Sequence, residues 1–409
     1  MSFVSKAWLT IVGIGADGIA SLGAEARAAI DGAHVLVGGE RHLSLIPRNS
    51  AERIVWESPI ATTIQRLAAL RGRRVVVLAS GDPMSFGIGA AMARRFDASE
   101  LRVIPTVGAV ALACARLLWP EDSVTAVSLC GRPLETLTLH LAPGARLVVL
   151  SADGTTPATV AGALVAHGFG PSSLHVFESL GAADERAIAA SADHWTEMRV
   201  GSLNIIAVEC RPAPDVRLLS RAPGLPDEAF VHDGQITKRE MRALAISALA
   251  PLPGQRLWDI GAGCGSVAIE WLRAAPHAEA IAIERNPERA AMAARNAKAL
   301  GVPVLDIVQG EAPGALAGLA VPDAVFVGGG VSQPGLLDAA WHALRPGGRL
   351  IAHAVSVEGE ARLSEAARAF GGRLTRIGIE RAEPLGGHTG FRPARAVTQL
   401  IAEKASRAS

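Results

Sequence analysis

Tyrosine is absent from the 409 residues, and Trp and Phe bring the aromatic share to only 4%. A platform for stacking single-stranded bases is therefore not expected. Charge of one sign is lacking too, since 40 Lys+Arg face 39 Asp+Glu for a formal net charge of +1. The footprint needed to neutralise phosphates is missing, so no nucleic-acid partner is expected. Four cysteines occur, Cys114, Cys130, Cys210 and Cys264, far apart and never at CxxC spacing. That excludes a zinc ribbon and argues against a disulfide framework, so a reducing cytoplasm is the expected location. His34, His42 and His140 show no metal-ligand spacing, and no metal site is predicted. No run reaches about 18 uninterrupted apolar residues, which predicts no membrane span. Residues 1–20 superficially resemble a signal peptide. Asp17 and the glycines Gly13, Gly15 and Gly18 read instead as a strand entering a glycine turn.

What is present is a chain 49% hydrophobic and 19% charged, long enough for two α/β domains. Pro212, Pro214, Pro223 and Pro226 crowd one stretch and forbid a regular helix or central strand there. This divides the chain into a domain over 1–212, a linker over 213–229 and a second domain over 230–405. Strands are expected at Leu9–Val12, His34–Val37, Val75–Ala79, Leu147–Leu150 and Asn204–Val208. Beyond the linker they are expected at Arg256–Ile260, Ala280–Ile283, Ala324–Val327, Arg349–His353, Leu374–Ile379 and Ala396–Leu400. Pro287–Leu300 and Glu358–Phe370 carry apolar residues at helical spacing. The last two strands, joined through G-G-H-T-G-F-R-P without a helix, must run antiparallel. A mostly parallel sheet with one antiparallel strand from the C-terminal end is the expected product.

The sharpest local signal is W-D-I-G-A-G-C-G-S, Trp258 to Ser266. A β-run gives way to Gly261, Gly263 and Gly265, and a helix is expected to start near Ser266 as N-cap. Such a loop lets bare backbone approach a ligand at the carboxyl ends of the strands. Glu284, ending the next strand, can accept hydrogen bonds from ribose hydroxyls. A Walker loop would need Gly-Lys-Ser/Thr, and NAD would need GxGxxG. S-adenosylmethionine, with a ribose and a sulfonium but no phosphate, fits a loop flanked by acids and free of cations. Cys264 reads as a small filler, because no base lies near it in sequence. Further on, Gly328, Gly329 and Gly330 end a strand where amine methyltransferases carry Asn/Asp-Pro-Pro-Tyr/Phe. Bare glycine there suits a large flat substrate and carbon methylation.

Five motifs in order, D-G-Q-I-T-K-R-E-M-R (Asp233–Arg242), D-I-G-A-G-C-G-S, I-E-R-N-P-E (Ile283–Glu288), G-E-A-P and D-A-V-F-V-G-G-G, resemble the decarboxylating precorrin methyltransferase family. The likeness covers most of 230–400. It implies a Rossmann-like class I methyltransferase fold with cofactor contacts at Thr237, at Gly261, Ala262, Gly263, Cys264 and Gly265, at Glu284 and at Ala312.

The N-terminal half carries G-I-G-A-D-G, formally GxGxxG, for which NAD is the rival ligand. The following helix is expected only near Ser21, too late to hold a pyrophosphate. V-V-V-L-A-S-G-D-P-M-S-F-G (Val75–Gly87), V-I-P-T-V-G-A-V-A-L-A-C-A-R (Val103–Arg116) and S-L-C-G-R-P (Ser128–Pro133) then follow. This series resembles the tetrapyrrole methylase family, in the branch acting at carbon 5. That likeness implies two α/β subdomains with the cofactor between them. Contacts are implied at Gly13, Gly15, Ala16, Gly81, Asp82, Gly108 and Ala109. Ala16 replaces the family's usual Pro, and Gly108-Ala109 its Ser-Ser. Asp82 is a candidate catalytic residue as well as a turn former.

Both resemblances in one chain imply a bifunctional enzyme of cobalamin biosynthesis. It would methylate a precorrin at carbons 5 and 15 and decarboxylate the ring C acetate, using two S-adenosylmethionines, one per domain. His353, at a strand's carboxyl end, is the candidate proton relay; a capped strand end is its structural alternative. Arg132, Arg239 and Arg392 are candidates for the substrate carboxylates. A homo-oligomer is expected. The same two reactions on a cobalt-precorrin are the alternative, and an RNA methyltransferase, an NAD oxidoreductase and a tetrapyrrole carrier are the rivals.

Overall fold

The N-terminal β-runs are apolar at successive positions because both faces of their sheet are covered. Val75 through Ala79 are all buried, as expected for central parallel strands. The computed structural model describes residues 7–406. It divides into two compact units, one of residues up to 134 together with 140–216, the other of 135–139 together with residues from 217 on.

In the first unit, strands β1 (Leu9–Ile14), β2 (Val35–Gly38), β3 (Glu52–Val55), β4 (Val75–Ser80) and β5 (Leu101–Ile104) form a sheet in the order β3-β2-β4-β1-β5. Every pairing in it is parallel. A second sheet contains β6 (Val124–Ser128), β7 (Arg146–Leu150), β8 (Ser173–Glu178), β9 (Arg186–Ser191) and β10 (Asn204–Glu209), ordered β6-β7-β10-β8-β9. Only β6 and β7 are parallel there. The unit is thus two α/β subdomains. Its first full helix, Ala24–Asp31, follows a single turn at Ile19–Ser21, well after the glycine turn.

The second unit contributes β11 (Arg256–Ile260), β12 (Glu279–Glu284), β13 (Asp306–Gln309), β14 (Ala324–Val327), β15 (Arg349–Ala354), β16 (Arg373–Ile377), β17 (Glu380–Leu385), β18 (His388–Pro393) and β19 (Val397–Glu403). Seven of them form one sheet, ordered β13-β12-β11-β14-β15-β19-β16. Only β19 opposes its neighbours, so the expected antiparallel strand is present and lies between β15 and β16. The order reverses between β11 and β14, a topological switch point where ligands bind in doubly wound sheets. Trp271 and Phe326 sit in the core on one face, and Trp258, Val325 and Leu363 in the core on the other.

Three expectations are corrected. The G-G-H-T-G-F-R-P stretch is not a plain connector but the turn and return strand of a separate hairpin, β17–β18. Leu385 pairs with His388 across Gly386-Gly387, and Gly386 adopts φ 60, as a tight hairpin turn demands. Ser266 does not cap its helix. It is the first helical residue, and Gly265 at φ 78 holds the cap. Finally, residues 217–229 are not a free linker, because Leu225 and the adjoining Phe230 are buried in the second unit's core.

Candidate functional site

In the C-terminal unit, two loops meet at the switch point. Gly261 has φ 70, and a Cβ there would stand 3.0 Å from the Gly329 nitrogen. The loops after β11 and β14 therefore touch backbone to backbone, which only glycine permits. Glu284, 5% exposed, accepts hydrogen bonds from the N–H of Gly263 at 2.8 Å and of Asn286 at 2.9 Å. Each carboxylate oxygen retains acceptor capacity. Asn286 also caps the helix Pro287–Ala299 through the N–H groups of Glu288 and Arg289. Below the loop Asp259 is wholly buried and accepts from the Ala268 N–H at 3.0 Å. Burial pushes its carboxyl up to about 7 against that bond, with the Glu284 charge adding to the rise.

These loops open into a cavity of about 1020 Å³, which Thr237, Gly261, Ala262, Gly263, Glu284, Ala312 and His353 all line. Cys264 and Gly265 do not line it. The Cys264 side chain belongs to the core, where burial raises its thiol pKa. A Cβ on Gly265 would meet Ala293 at 2.9 Å, so this glycine lets two helices pack. Thr237 is placed by a buried guanidinium. Arg242 bonds the Thr237 carbonyl at 2.5 Å and Glu270 at 2.6 Å, and it also binds the Leu225 carbonyl. Asp227 lies 3.2 Å from it, and Phe230 stacks on it at 4.7 Å.

Two predicted arginines fall elsewhere. Arg239 lies against Gly224, and Arg392 is exposed on the hairpin beside Glu383 at 3.4 Å. The cations that line the cavity are Lys238, Arg285, Arg289, Arg381 and Arg395. Arg289 pairs with Asp233 at 2.8 Å and Arg381 with Glu240 at 2.6 Å. The missed signal for Arg395 is topological. An antiparallel β19 starts where its parallel neighbours end, so the residues just before it reach the ligand edge.

His353 is 9% exposed, with Nε2 at 2.8 Å from Gln399 Oε1 and its ring edge-on to Phe326. Burial lowers its pKa below the ordinary histidine value, partly offset by the Gln399 bond. With the amide oxygen as acceptor the proton sits on Nε2, leaving Nδ1 as a lone-pair acceptor. The imidazole is neutral at pH 7, poised to take a proton.

In the N-terminal unit the carboxyl ends of β1 and β4 and the loop after β5 converge. A Cβ on Gly13 would come 2.0 Å from the Gly81 carbonyl oxygen, and one on Gly81 3.0 Å from the Gly108 Cα. A cleft of about 80 Å³ lies beside them. It is lined by Gly15, Ala16 and Gly81 from one subdomain and by Ala109, Phe177, Leu180, Asn204 and Ile205 from the other. Gly13, Asp82 and Gly108 stand behind this lining. Asp82 accepts from the Met84 N–H at 2.8 Å, so its carboxylate closes an Asx turn. Arg132 stacks on Phe86 at 5.2 Å. Two cleft-lining polar residues escaped the sequence reading, Arg41 and Ser80. Arg41 stands in the run G-G-E-R-H and Ser80 at the end of β4, and only packing brings the two together.

Residues 8–194 match the family of tetrapyrrole (corrin/porphyrin) methylases, and residues 228–404 the precorrin methyltransferase domain family. A Sinorhizobium protein described as precorrin-6Y C(5,15)-methyltransferase [decarboxylating] is 49% identical over 96% of this chain and 95% of its own. A Salmonella typhimurium cobalt-precorrin-7 C(5)-methyltransferase is 34% identical over 46% of this chain and 89% of its own. A second protein from that organism, a cobalt-precorrin-6B C(15)-methyltransferase (decarboxylating), is 41% identical over 31% of this chain and 67% of its own. With a near full-length relative at that identity and a family match on each unit, the chain belongs to the decarboxylating precorrin-6Y C(5,15)-methyltransferases.

Proposed function

We propose that the chain methylates a precorrin at carbons 5 and 15 and decarboxylates its ring C acetate, in cobalamin biosynthesis. The N-terminal unit acts at carbon 5, and the C-terminal unit carries out the carbon-15 methylation and the decarboxylation. Each uses its own S-adenosylmethionine. The observation that carries this reading is the pairing of bare glycine backbone with the buried Glu284 carboxylate at the switch point. That pairing fits a ribose and a sulfonium, and the loop itself, Gly261 to Gly265, carries no cation for a phosphate. The division of labour is supported by the separate carbon-5 and carbon-15 relatives, each matching part of this chain.

In the C-terminal cavity Glu284 accepts the ribose hydroxyls, while Gly261 and Gly263 admit the amino-acid end of the donor. Thr237 and Ala312 flank it. The donor supplies an electrophilic methyl group, which a nucleophilic ring carbon attacks once held near ~3–3.5 Å and in line. Arg395, the one cation lining the cavity with no acidic partner among the described residues, holds a peripheral carboxylate. Loss of carbon dioxide breaks the bond to the acetate carboxyl, and its electron pair passes into a protonated imine of the macrocycle. His353, neutral and buried beside Phe326, takes the N–H proton of the resulting enamine through Nδ1 and returns it to the methylene carbon, which becomes a methyl group.

Residues 1–216 and 217–409, produced separately, test the assignment by mass spectrometry of the product. The first should add one methyl and no more. The second should add one methyl and remove carbon dioxide. Both activities in a single piece would refute the division.

A further inference from the structure

We infer that Arg41 is the carboxylate anchor of the N-terminal cleft, held in place by His42 and Ser80. This rests on the proposed carbon-5 methyltransferase reading. Arg41 lines the cleft from the short helix Glu40–Ser44. Its Nη2 lies 3.2 Å from Ser80 Oγ and 3.0 Å from His42 Nε2, and these two lie 2.9 Å apart. A guanidinium only donates, so Nε2 is the bare nitrogen that accepts. Burial and the Arg41 charge push the His42 pKa to about 4, which keeps it neutral.

The consequence is a matter of charge. An acid in this position would hold the fork and cancel its charge, whereas a neutral imidazole and a hydroxyl hold it and leave the charge intact. Among the described residues no acid pairs with Arg41, and burial alone lowers its pKa. Nε and Nη1 have no partner among them either. The arrangement is costly, because His42 Nδ1 is buried without a hydrogen-bond partner. The ring is seated over Gly38 and Gly39, where added Cβ atoms would stand 3.4 Å from His42 Cβ and 3.6 Å from Nδ1. A charged, half-buried fork facing a cleft without an acid of its own is suited to a carboxylate. Two carboxylates could supply it, a side chain of the tetrapyrrole or the amino-acid end of the methyl donor.

The test uses the full-length chain with Arg41→Leu and Arg41→Lys, and Arg41→Gln should the leucine variant fail to fold. Carbon-5 methyl transfer from labelled S-adenosylmethionine is measured, with calorimetry of S-adenosylhomocysteine and of 5′-methylthioadenosine, which has no carboxylate. If the tetrapyrrole supplies the partner, Arg41→Leu raises its KM about ten- to hundredfold with S-adenosylhomocysteine binding unchanged. If the donor supplies it, S-adenosylhomocysteine weakens by that factor at one site while 5′-methylthioadenosine does not. Arg41→Lys recovers part of either loss. Equal weakening of both nucleosides, or no change in any quantity, overturns the inference. A wild-type chain that fails to methylate carbon 5 would bring down the underlying reading and this inference together. An active wild type indistinguishable from Arg41→Leu would remove the inference alone.

Discussion

Three titratable side chains, Asp259 and His353 buried and His42 half-buried, respond to pH in distinguishable ways. His42 in the folded chain has its pKa at about 4, below the ordinary 6.5. Between those values the unfolded chain binds the extra proton, so stability is full above 6.5 and is lost as pH falls towards 4. The difference is worth roughly 3 kcal/mol. His42→Asn should abolish that acid-side loss in urea unfolding of the N-terminal transition. Asp259 has the opposite sign, since its pKa rises from 3.8 to about 7. Its contribution is full below 3.8 and is lost as pH climbs through 7, so Asp259→Asn should flatten the C-terminal unit's stability across that interval. His353 bears on rate. As a base it must be unprotonated, and its lowered pKa places the acid limb of the carbon-15 pH–rate profile below 6.5. His353→Asn should slow the carbon-15 reaction about a hundredfold or more, with carbon-5 methylation unchanged in the same assay.

Among the elements, the segment 224–237 shows how a loop acquires fixed geometry. Glu270 accepts the N–H groups of Gly224 and Leu225 at 2.7 and 2.9 Å, and Arg242 closes the network onto Thr237. Arg242→Met leaves Glu270 buried and unpaired, which should cost about 3–5 kcal/mol in denaturant unfolding. Adding Glu270→Gln should restore part of that loss. The same elements show what could be read beforehand. Arg256–Ile260 and Ala324–Val327 have the expected limits, because apolar β-branched runs ending in Asp-Ile-Gly and Val-Gly-Gly mark a buried strand and its exit. The β17–β18 hairpin escaped because its strands are exposed at nearly every position and show no buried face. Glu284 was legible as the residue that ends a strand, and Thr237 and Ala312 only through the family resemblance; all three line the cavity. Arg381, Arg395, Arg41 and Ser80 were not legible, because only strand order and packing bring those side chains to a ligand edge.

At the scale of the molecule, each unit places glycine-rich turns at the carboxyl ends of parallel strands, by different topologies. One crosses β1, β4 and β5 beside a second subdomain, the other opens between β11 and β14 of a single sheet. On the function we propose, both openings hold the same sulfonium donor. Calorimetric titration of the intact chain with S-adenosylhomocysteine tests it most directly. Gly261→Val provides the internal control, because a β-branched residue at φ 70 against the Gly329 backbone closes the C-terminal site. Two equivalents should bind per chain, falling to one in the variant. One equivalent or none on the unaltered chain would contradict that function.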